Sequence, residues 1–125
     1  MMQTVKGELM SMRGLFVNAK EIRHFEPGAV VFAEGSVGAE MFGVVSGVIE
    51  LRHADQVVSQ VGPEGTFGEL GLIDRAPRSL SAVAIEASEV AVIDEPTFLY
   101  LVHETPTFAL QVMRALSARI RQLSE

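Results

Sequence analysis

One glycine-rich stretch, 62–82, holds an acidic and a basic side chain whose types and spacing suit the binding of a small ligand. The apolar turn Gly68–Ile73 could form one or two turns of helix, whose N-terminus would present free backbone N–H groups to an anion. Gly68 lacks a Cβ, so the backbone there can approach a ligand closely. Arg78 could bring a planar donor fork to the same anion, and Glu69 is a natural acceptor for sugar hydroxyls. The stretch therefore predicts a small ligand that carries an anionic group and a hydroxyl.

Short apolar and β-branched runs, separated by turn residues, surround this stretch and must position it. Such runs at regular spacing predict an antiparallel sandwich or barrel. Eleven glycines agree with that prediction, because tight turns need positive φ angles. The predicted strands are Ile22–Phe25, Val30–Phe32, Met41–Val45, Val48–Leu51, Gln56–Val61, Ala82–Ile85 and Val90–Ile93.

Helical patterns flank the strands on both sides. After the strands, Asp94 fits an N-cap, with Pro96 in the first turn of a short helix through Val102. Thr105 and Pro106 repeat this start pattern for a longer helix. The apolar face of the longer helix comprises Ala109, Val112, Met113, Leu116, Ile120 and Leu123. The N-terminal pattern has apolar residues at three- and four-residue steps, namely Val5, Leu9, Met12 and Phe16.

The composition of the chain excludes several classes of protein. Its 125 residues suit one domain, and 48% hydrophobic against 21% charged residues indicates a folded, soluble protein. Without cysteine there is no disulfide framework and no thiolate metal site. No apolar run approaches the roughly 20 residues of a membrane span, and the N-terminus lacks a signal-type apolar core, which favours a cytoplasmic location.

The charge pattern argues against nucleic acid as a partner. The formal net charge is −6, whereas binding to a phosphate backbone depends on clustered lysine and arginine. The densest basic group is Arg114, Arg119 and Arg121, whose helical spacing makes no continuous stripe. A solvated helix face is therefore the favoured interpretation of these three arginines.

The run Phe67-Gly68-Glu69-Leu70-Gly71-Leu72, followed by Pro77-Arg78-Ser79, resembles the phosphate-binding cassette of the cyclic-nucleotide-binding domain family. That family includes bacterial catabolite activators, protein kinase A regulatory subunits and cyclic-nucleotide-gated channels. The helix–roll–helix plan resembles the family over nearly the whole chain. The resemblance implies a mainly β fold, an antiparallel β-roll (double-stranded β-helix or jelly roll) with one N-terminal helical region and two C-terminal helices.

The resemblance also implies one domain, 1–125, in three parts. These parts are an N-terminal helical region, 1–18, a β-roll, 19–93, with the cassette at 67–82, and the C-terminal helices, 94–125. The implied ligand-binding residues are Phe67, Gly68, Glu69, Leu70, Pro77, Arg78, Ser79 and Leu80. The final helix would close over the base as a lid, for which the candidates are Arg119, Ile120 and Leu123.

Within the cassette, the resemblance implies a role for each polar residue. Glu69 would accept a hydrogen bond from the ribose 2′-hydroxyl, and Arg78 would pair with the cyclic phosphate. Gly68 and Leu70 would line the sugar-phosphate through their backbone groups, and the hydroxyl of Ser79 would contact the phosphate. At Leu80 the family usually has a small residue, so this leucine either crowds the ligand or faces the core.

These roles predict a non-catalytic sensor that binds cyclic AMP or cyclic GMP and needs no other cofactor and no metal. Ligand-induced closure of the C-terminal helix would signal to an effector protein or to a second copy in a homodimer, without a membrane partner. One alternative is a ligand-free interaction domain that has kept the roll and lost binding, which Leu80 favours and the intact Glu69 and Arg78 argue against. As a separate structural interpretation, Glu69 and Arg78 could form an ion pair with each other. Another functional alternative is a cupin-like metalloenzyme, against which the scattered His24, His53 and His103 argue.

Overall fold

The computed structural model describes residues 12–124, and its strands form two four-stranded antiparallel sheets packed against each other. The strands are β1 Ile22–Phe25, β2 Val30–Phe32, β3 Met41–Ser46, β4 Ile49–His53, β5 Gln56–Val61, β6 Thr66–Phe67, β7 Ser81–Ala84 and β8 Ser88–Ile93. The strand order is β1-β8-β3-β6 in one sheet and β2-β7-β4-β5 in the other. The mainly β roll predicted from the sequence is therefore confirmed.

Helices lie before, within and after the strands. They are α1 Met12–Val17, α2 Glu69–Asp74, α3 Glu95–Glu104 and α4 Thr107–Ser124. The predicted N-terminal helix is observed as α1, while Val5 and Leu9 lie outside the described residues. In this described part of the chain, no helix is long and apolar enough to cross a membrane.

The start of α3 follows the predicted capping chemistry. The Asp94 carboxylate accepts a hydrogen bond of 2.9 Å from the backbone N–H of Thr97, and Pro96 occupies the first turn. That hydrogen bond satisfies one of the donors that a helix start leaves free. It also lowers the pKa of the Asp94 carboxyl, because the bond favours the charged form.

Strand β3 is buried on both faces, and this explains its unbroken apolar run. Phe42 and Val44 point into the core between the sheets, whereas Met41 and Val45 pack with α1, α3 and α4 in a second core cluster. Between them, a Cβ on Gly43 would lie 2.5 Å from the ring of Phe16. The missing side chain therefore lets α1 lie directly on the sheet.

The short strand β6 was missed in the sequence, where it was part of the glycine-rich loop. Thr66 pairs with Gly43 and Phe67 with Phe42, so β6 forms an edge of the first sheet. Two residues are too few to show an alternating pattern. This pairing matters for the site, since it anchors the chain directly before α2.

Candidate ligand-binding site

A cavity of about 240 Å³ lies between α2, the start of β7 and α4. It brings together most of the residues that the sequence predicted for the site. The cassette contributes Gly68, Glu69, Leu70, Arg78, Ser79 and Leu80, and the lid candidates Arg119, Ile120 and Leu123 all line it too. Residues from both ends of the fold thus meet around one space.

Two predicted site residues do not line this cavity. Phe67 is fully buried in the core, where its ring stacks on Phe42 with centroids 5.2 Å apart. Pro77 is exposed at the surface, before the chain enters the cavity wall at Arg78. The alternation of side chains along β6 explains the position of Phe67, because its ring points between the sheets.

Glu69 is the first residue of α2, and its side chain is only 1% exposed. One carboxylate oxygen, Oε2, accepts a hydrogen bond of 2.7 Å from the hydroxyl of Thr66. The other, Oε1, accepts one of 2.9 Å from Nη1 of Arg119. A buried carboxylate is costly unless it is paired, and these two donors hold it in place beside the cavity.

Arg119 joins α4 to the cassette. Besides its bond to Glu69, it donates from Nη2 to the backbone carbonyl of Thr66 at 2.9 Å. The interpretation of this arginine as part of a solvated face is wrong, whereas Arg114 and Arg121 are exposed as predicted. The spacing could have shown it, because Arg119 follows the buried Val112 by two helical turns and so shares its face.

Arg78 is held in the cavity wall with its side chain 3% exposed. Its Nη1 donates to the Gly68 carbonyl at 2.9 Å, and its guanidinium carbon lies 4.3 Å from the ring centroid of Phe32. The nearest carboxylate is that of Glu40, with its Oε1 3.7 Å from Nη2, beyond hydrogen-bonding distance. Burial lowers the pKa of Arg78 and the charge of Glu40 opposes this shift. Arginine keeps its charge even when it is buried, so the guanidinium is a cation that can still donate hydrogen bonds to an anion.

Three glycines make room for this guanidinium. A Cβ on Gly38 would lie 2.5 Å from Nη2 of Arg78, and one on Gly71 would overlap Nη1. Gly68 has a φ of 77° and caps the start of α2, a conformation that favours glycine. The sequence had assigned only Gly68, and only to the ligand. Gly38, Gly71 and Glu40 were missed, since their role depends on where Arg78 lies.

The alternative in which Glu69 and Arg78 form an ion pair with each other is wrong. Glu69 pairs with Arg119, and Arg78 faces Glu40. Two charged groups of opposite sign thus line the same cavity without neutralising each other. Leu80 combines the two expected arrangements, because it packs on the core between the sheets and also lines the cavity.

A second cavity, of about 530 Å³, lies between α1 and the start of α3. It is the larger of the two, but the unsatisfied polar groups favour the first as the ligand site. Among the described residues, the buried side-chain nitrogens without a hydrogen-bond partner are Nε of Arg78 and Nε of Arg119. Within 12–124, no three histidine, aspartate or glutamate side chains are grouped to hold a metal ion.

Comparison with known proteins gives a consistent family. A model of the family described as "Cyclic nucleotide-binding domain" matches residues 22–105. The chain is 30% identical over 105 residues to the Cyclic AMP receptor protein of Thermus thermophilus, covering 80% of this chain and 49% of that protein. It is 32% identical over 83 residues to the cAMP-dependent protein kinase regulatory subunit of Mycosarcoma maydis, covering 63% of this chain and 16% of that subunit.

A solved structure agrees with these relatives. The crystal structure of the Thermus thermophilus Catabolite Activator Protein superposes with a TM-score of 0.72 at 28% identity, over 90% of this chain and 54% of that one. The chain spans about half the length of the bacterial relatives it matches. The family match includes all eight strands, the cassette and α3, while α4 lies beyond it. The chain belongs to the cyclic nucleotide-binding domain family.

Proposed function

We propose that the chain is a non-catalytic sensor module that binds a cyclic nucleotide, cyclic AMP or cyclic GMP, in the cavity between the cassette and α4. One observation carries the proposal. A buried arginine with an unpartnered Nε and a buried carboxylate line the same cavity without pairing with each other. A cyclic nucleotide offers an anion for the first group and a ribose hydroxyl for the second.

The cyclic phosphate would bind at Arg78. Its guanidinium is already oriented by the Gly68 carbonyl and by Phe32, so little side-chain entropy remains to be lost on binding. The phosphate would replace the distant contact with Glu40 by a charge-assisted hydrogen bond, which is roughly twice as strong as a neutral one. Ser79, the next residue and exposed, would add a hydroxyl donor.

The ribose 2′-hydroxyl would donate to Glu69. An ionised carboxylate has about four lone-pair sites, and Thr66 and Arg119 occupy one on each oxygen. The carboxylate can therefore accept a further hydrogen bond without losing the two that hold it. A nucleotide with an open 5′-phosphate carries a larger charge and a different shape, and would fit this arrangement less well.

The signal would leave through α4, because Arg119 links this helix to the ribose-binding carboxylate. A ligand that binds the closed arrangement more tightly shifts the population of α4 positions toward it. Beyond the cavity, α4 exposes apolar side chains that a partner could cover, among them Leu110 and Met113. The partner would be an effector protein or a second copy of the chain. The relatives named as a receptor protein and as a kinase regulatory subunit support such a regulatory role.

The rest of the proposal depends on the sequence. It includes no cofactor other than the nucleotide, no nucleic-acid or membrane partner, and a cytoplasmic location. The chain has no cysteine for a thiolate metal site, and its net charge of −6 disfavours a nucleic-acid backbone.

Isothermal titration with cyclic AMP, cyclic GMP and plain AMP tests the proposal. Calorimetry suits this chain because it has no tryptophan to report binding by fluorescence. We expect saturable one-to-one binding of a cyclic form, with AMP much weaker. Absence of binding even at millimolar cyclic nucleotide would contradict the proposal and favour the ligand-free interaction domain, for which the cavity-lining Leu80 also argues.

A further inference from the structure

We propose that Glu40 makes this site selective for a ligand with a single negative charge, and so disfavours the monophosphates that hydrolysis of a cyclic nucleotide produces. The inference rests on the proposed cyclic-nucleotide function and gives a specificity-determining role to a residue outside the cassette. A cyclic phosphate carries one negative charge, whereas a phosphate monoester carries nearly two at neutral pH. The Glu40 carboxylate lies beside the cation that would bind either phosphate.

The cavity has one cation whose charge is available to a phosphate. Among the residues that the structure describes, the basic ones that line the cavity are Arg78 and Arg119. Arg119 keeps an Nε without a partner, but its charge is balanced by the Glu69 carboxylate at 2.9 Å. Arg78 has no carboxylate within hydrogen-bonding distance, so a bound anion would neutralise its charge. One free cation leaves the second negative charge of a monoester without a counterion.

The backbone holds Glu40 close to this cation. Glu40 directly precedes Met41, which is fully buried at the start of β3. The loop before it is bonded to the cassette, because the backbone N–H of Arg78 donates to the Ser36 carbonyl at 2.8 Å. The backbone N–H of Gly35 in turn donates to the Arg78 carbonyl at 2.7 Å. From this anchored backbone, Oε1 of Glu40 reaches to 3.7 Å from Nη2 of Arg78.

The same contact is too long to position the arginine. A separation of 3.7 Å exceeds a hydrogen bond, and the Glu40 carboxylate makes no hydrogen bond to any group within residues 12–124. The guanidinium of Arg78 is instead oriented by the Gly68 carbonyl and by the ring of Phe32. What Glu40 contributes to the site is therefore its negative charge.

That charge would repel a bound phosphate as well as attract Arg78. A phosphate oxygen that accepts a hydrogen bond from the same guanidinium lies within about one Debye length of Glu40, which is roughly 10 Å at 0.1 M salt. Solvent ions therefore screen the repulsion only in part. The Glu40 side chain is 32% exposed, so water weakens the repulsion further, and we expect a loss of about three- to tenfold in affinity for each negative charge on the ligand. Because Coulomb energy is proportional to charge, a dianion loses the square of this factor.

The test compares the intact wild-type chain with its Glu40→Gln variant by calorimetry at pH 8. Cyclic AMP is titrated directly, and 5′-AMP is measured by its displacement of cyclic AMP. The substitution should tighten cyclic AMP by about three- to tenfold and 5′-AMP by about ten- to a hundredfold, which narrows the ratio of their dissociation constants by about three- to tenfold. Cyclic GMP with 5′-GMP should show the same narrowing, because the base plays no part in it.

Two further variants isolate the charge. Glu40→Met removes it without adding an amide donor and should narrow the ratio as Glu40→Gln does. Narrowing by glutamine alone would mean that its amide binds the phosphate, and would contradict the role of charge. Glu26→Gln, the matched control, removes one negative charge from an exposed residue between β1 and β2, and should leave the ratio within about twofold of the wild-type value. Equal narrowing by this control would reduce the effect to net charge and refute a role for Glu40.

The inference and the proposed function fail in different ways. If Glu40→Gln widens the ratio or leaves it within about twofold of wild type, the inference is overturned while cyclic-nucleotide binding stands. Weaker binding of cyclic AMP by both Glu40 variants would make Glu40 a positioning residue for Arg78 and overturn the inference too. If neither the wild-type chain nor any variant binds a cyclic nucleotide at millimolar concentration, the proposed function itself fails and the inference fails with it.

Discussion

Replacing Arg119 by methionine tests how the cassette is joined to α4. The change removes two hydrogen bonds of 2.9 Å, one to the Glu69 carboxylate and one to the Thr66 carbonyl. Of the two side chains that donate to the buried Glu69 carboxylate, which is 1% exposed, only Thr66 then remains. Breaking a buried ion pair in this way typically costs about 3–5 kcal/mol.

The Arg119 side chain is 13% exposed, so water reaches part of the pair and the lower end of that range applies. We expect a loss of about 3 kcal/mol in the free energy of unfolding. For a domain of this size, such a loss lowers Tm by about 10 °C. Urea unfolding at neutral pH, followed by far-ultraviolet circular dichroism, measures it directly.

The matched control is Arg121→Met, which removes an exposed arginine from the same helix and should change stability by less than about 0.5 kcal/mol. A double variant adds a sharper criterion. Glu69→Gln on the Arg119→Met background removes the uncompensated charge, so the double variant should lose less stability than the sum of the two single changes. Equal stability of the two arginine variants, or strict additivity, would refute the coupling of α4 to the cassette.

Three further predictions concern the site and its supports. Arg78→Gln should weaken cyclic-nucleotide binding by about 30- to 150-fold through loss of a charge-assisted hydrogen bond; calorimetry against the exposed control Arg75→Gln checks this, and an unchanged dissociation constant would place the site elsewhere. Gly71→Ala puts a Cβ onto Arg78 and 2.8 Å from the Gly38 carbonyl oxygen. It should cost about 1–3 kcal/mol in urea unfolding and weaken binding, whereas Gly62→Ala, with nothing within 4 Å of its Cβ, should do neither. Asp94→Ala should cost about 1 kcal/mol through loss of the helix cap. Because the pKa of Asp94 is lowered below 3.8 in the folded chain, that stabilisation is present above this pH and is lost as the pH falls further. Wild type and variant should therefore differ in urea midpoint at neutral pH and converge as the pH falls well below 3.8; a difference that persists in acid would contradict the capping role.

The sequence predicted those parts of the fold that have a local physical cause. The predicted strands agree with seven of the eight observed strands because each is a run of apolar and β-branched residues that turn residues bring to an end. Asp94 and Pro96 marked the start of α3 because capping is a property of adjacent residues. By contrast β6, with two residues, exists only through its pairing with β3.

The site was predictable where the cassette is contiguous and not where it depends on distant chain segments. Glu69 and Arg78 were identified from one stretch, and both line the cavity. The pairing of Arg119 with Glu69 spans 50 residues, and Glu40 and Arg78 are separated by strands β3 to β6 and helix α2. No local pattern encodes either pair. Phe67 was assigned to the ligand because it is the first residue of the cassette, although its place in β6 points it into the core.

The most direct test of the central claim is to map the binding of cyclic AMP by amide NMR on the isotope-labelled chain. The account predicts that the shifted amides cluster at Gly68, Glu69, Gly71 and Ser79, with further shifts along α4 as the helix responds. Amides around the second cavity, such as Ala19 and Thr97, should remain unchanged. Shifts centred on that second cavity, or no shifts at millimolar cyclic AMP, would contradict the assignment of the nucleotide site.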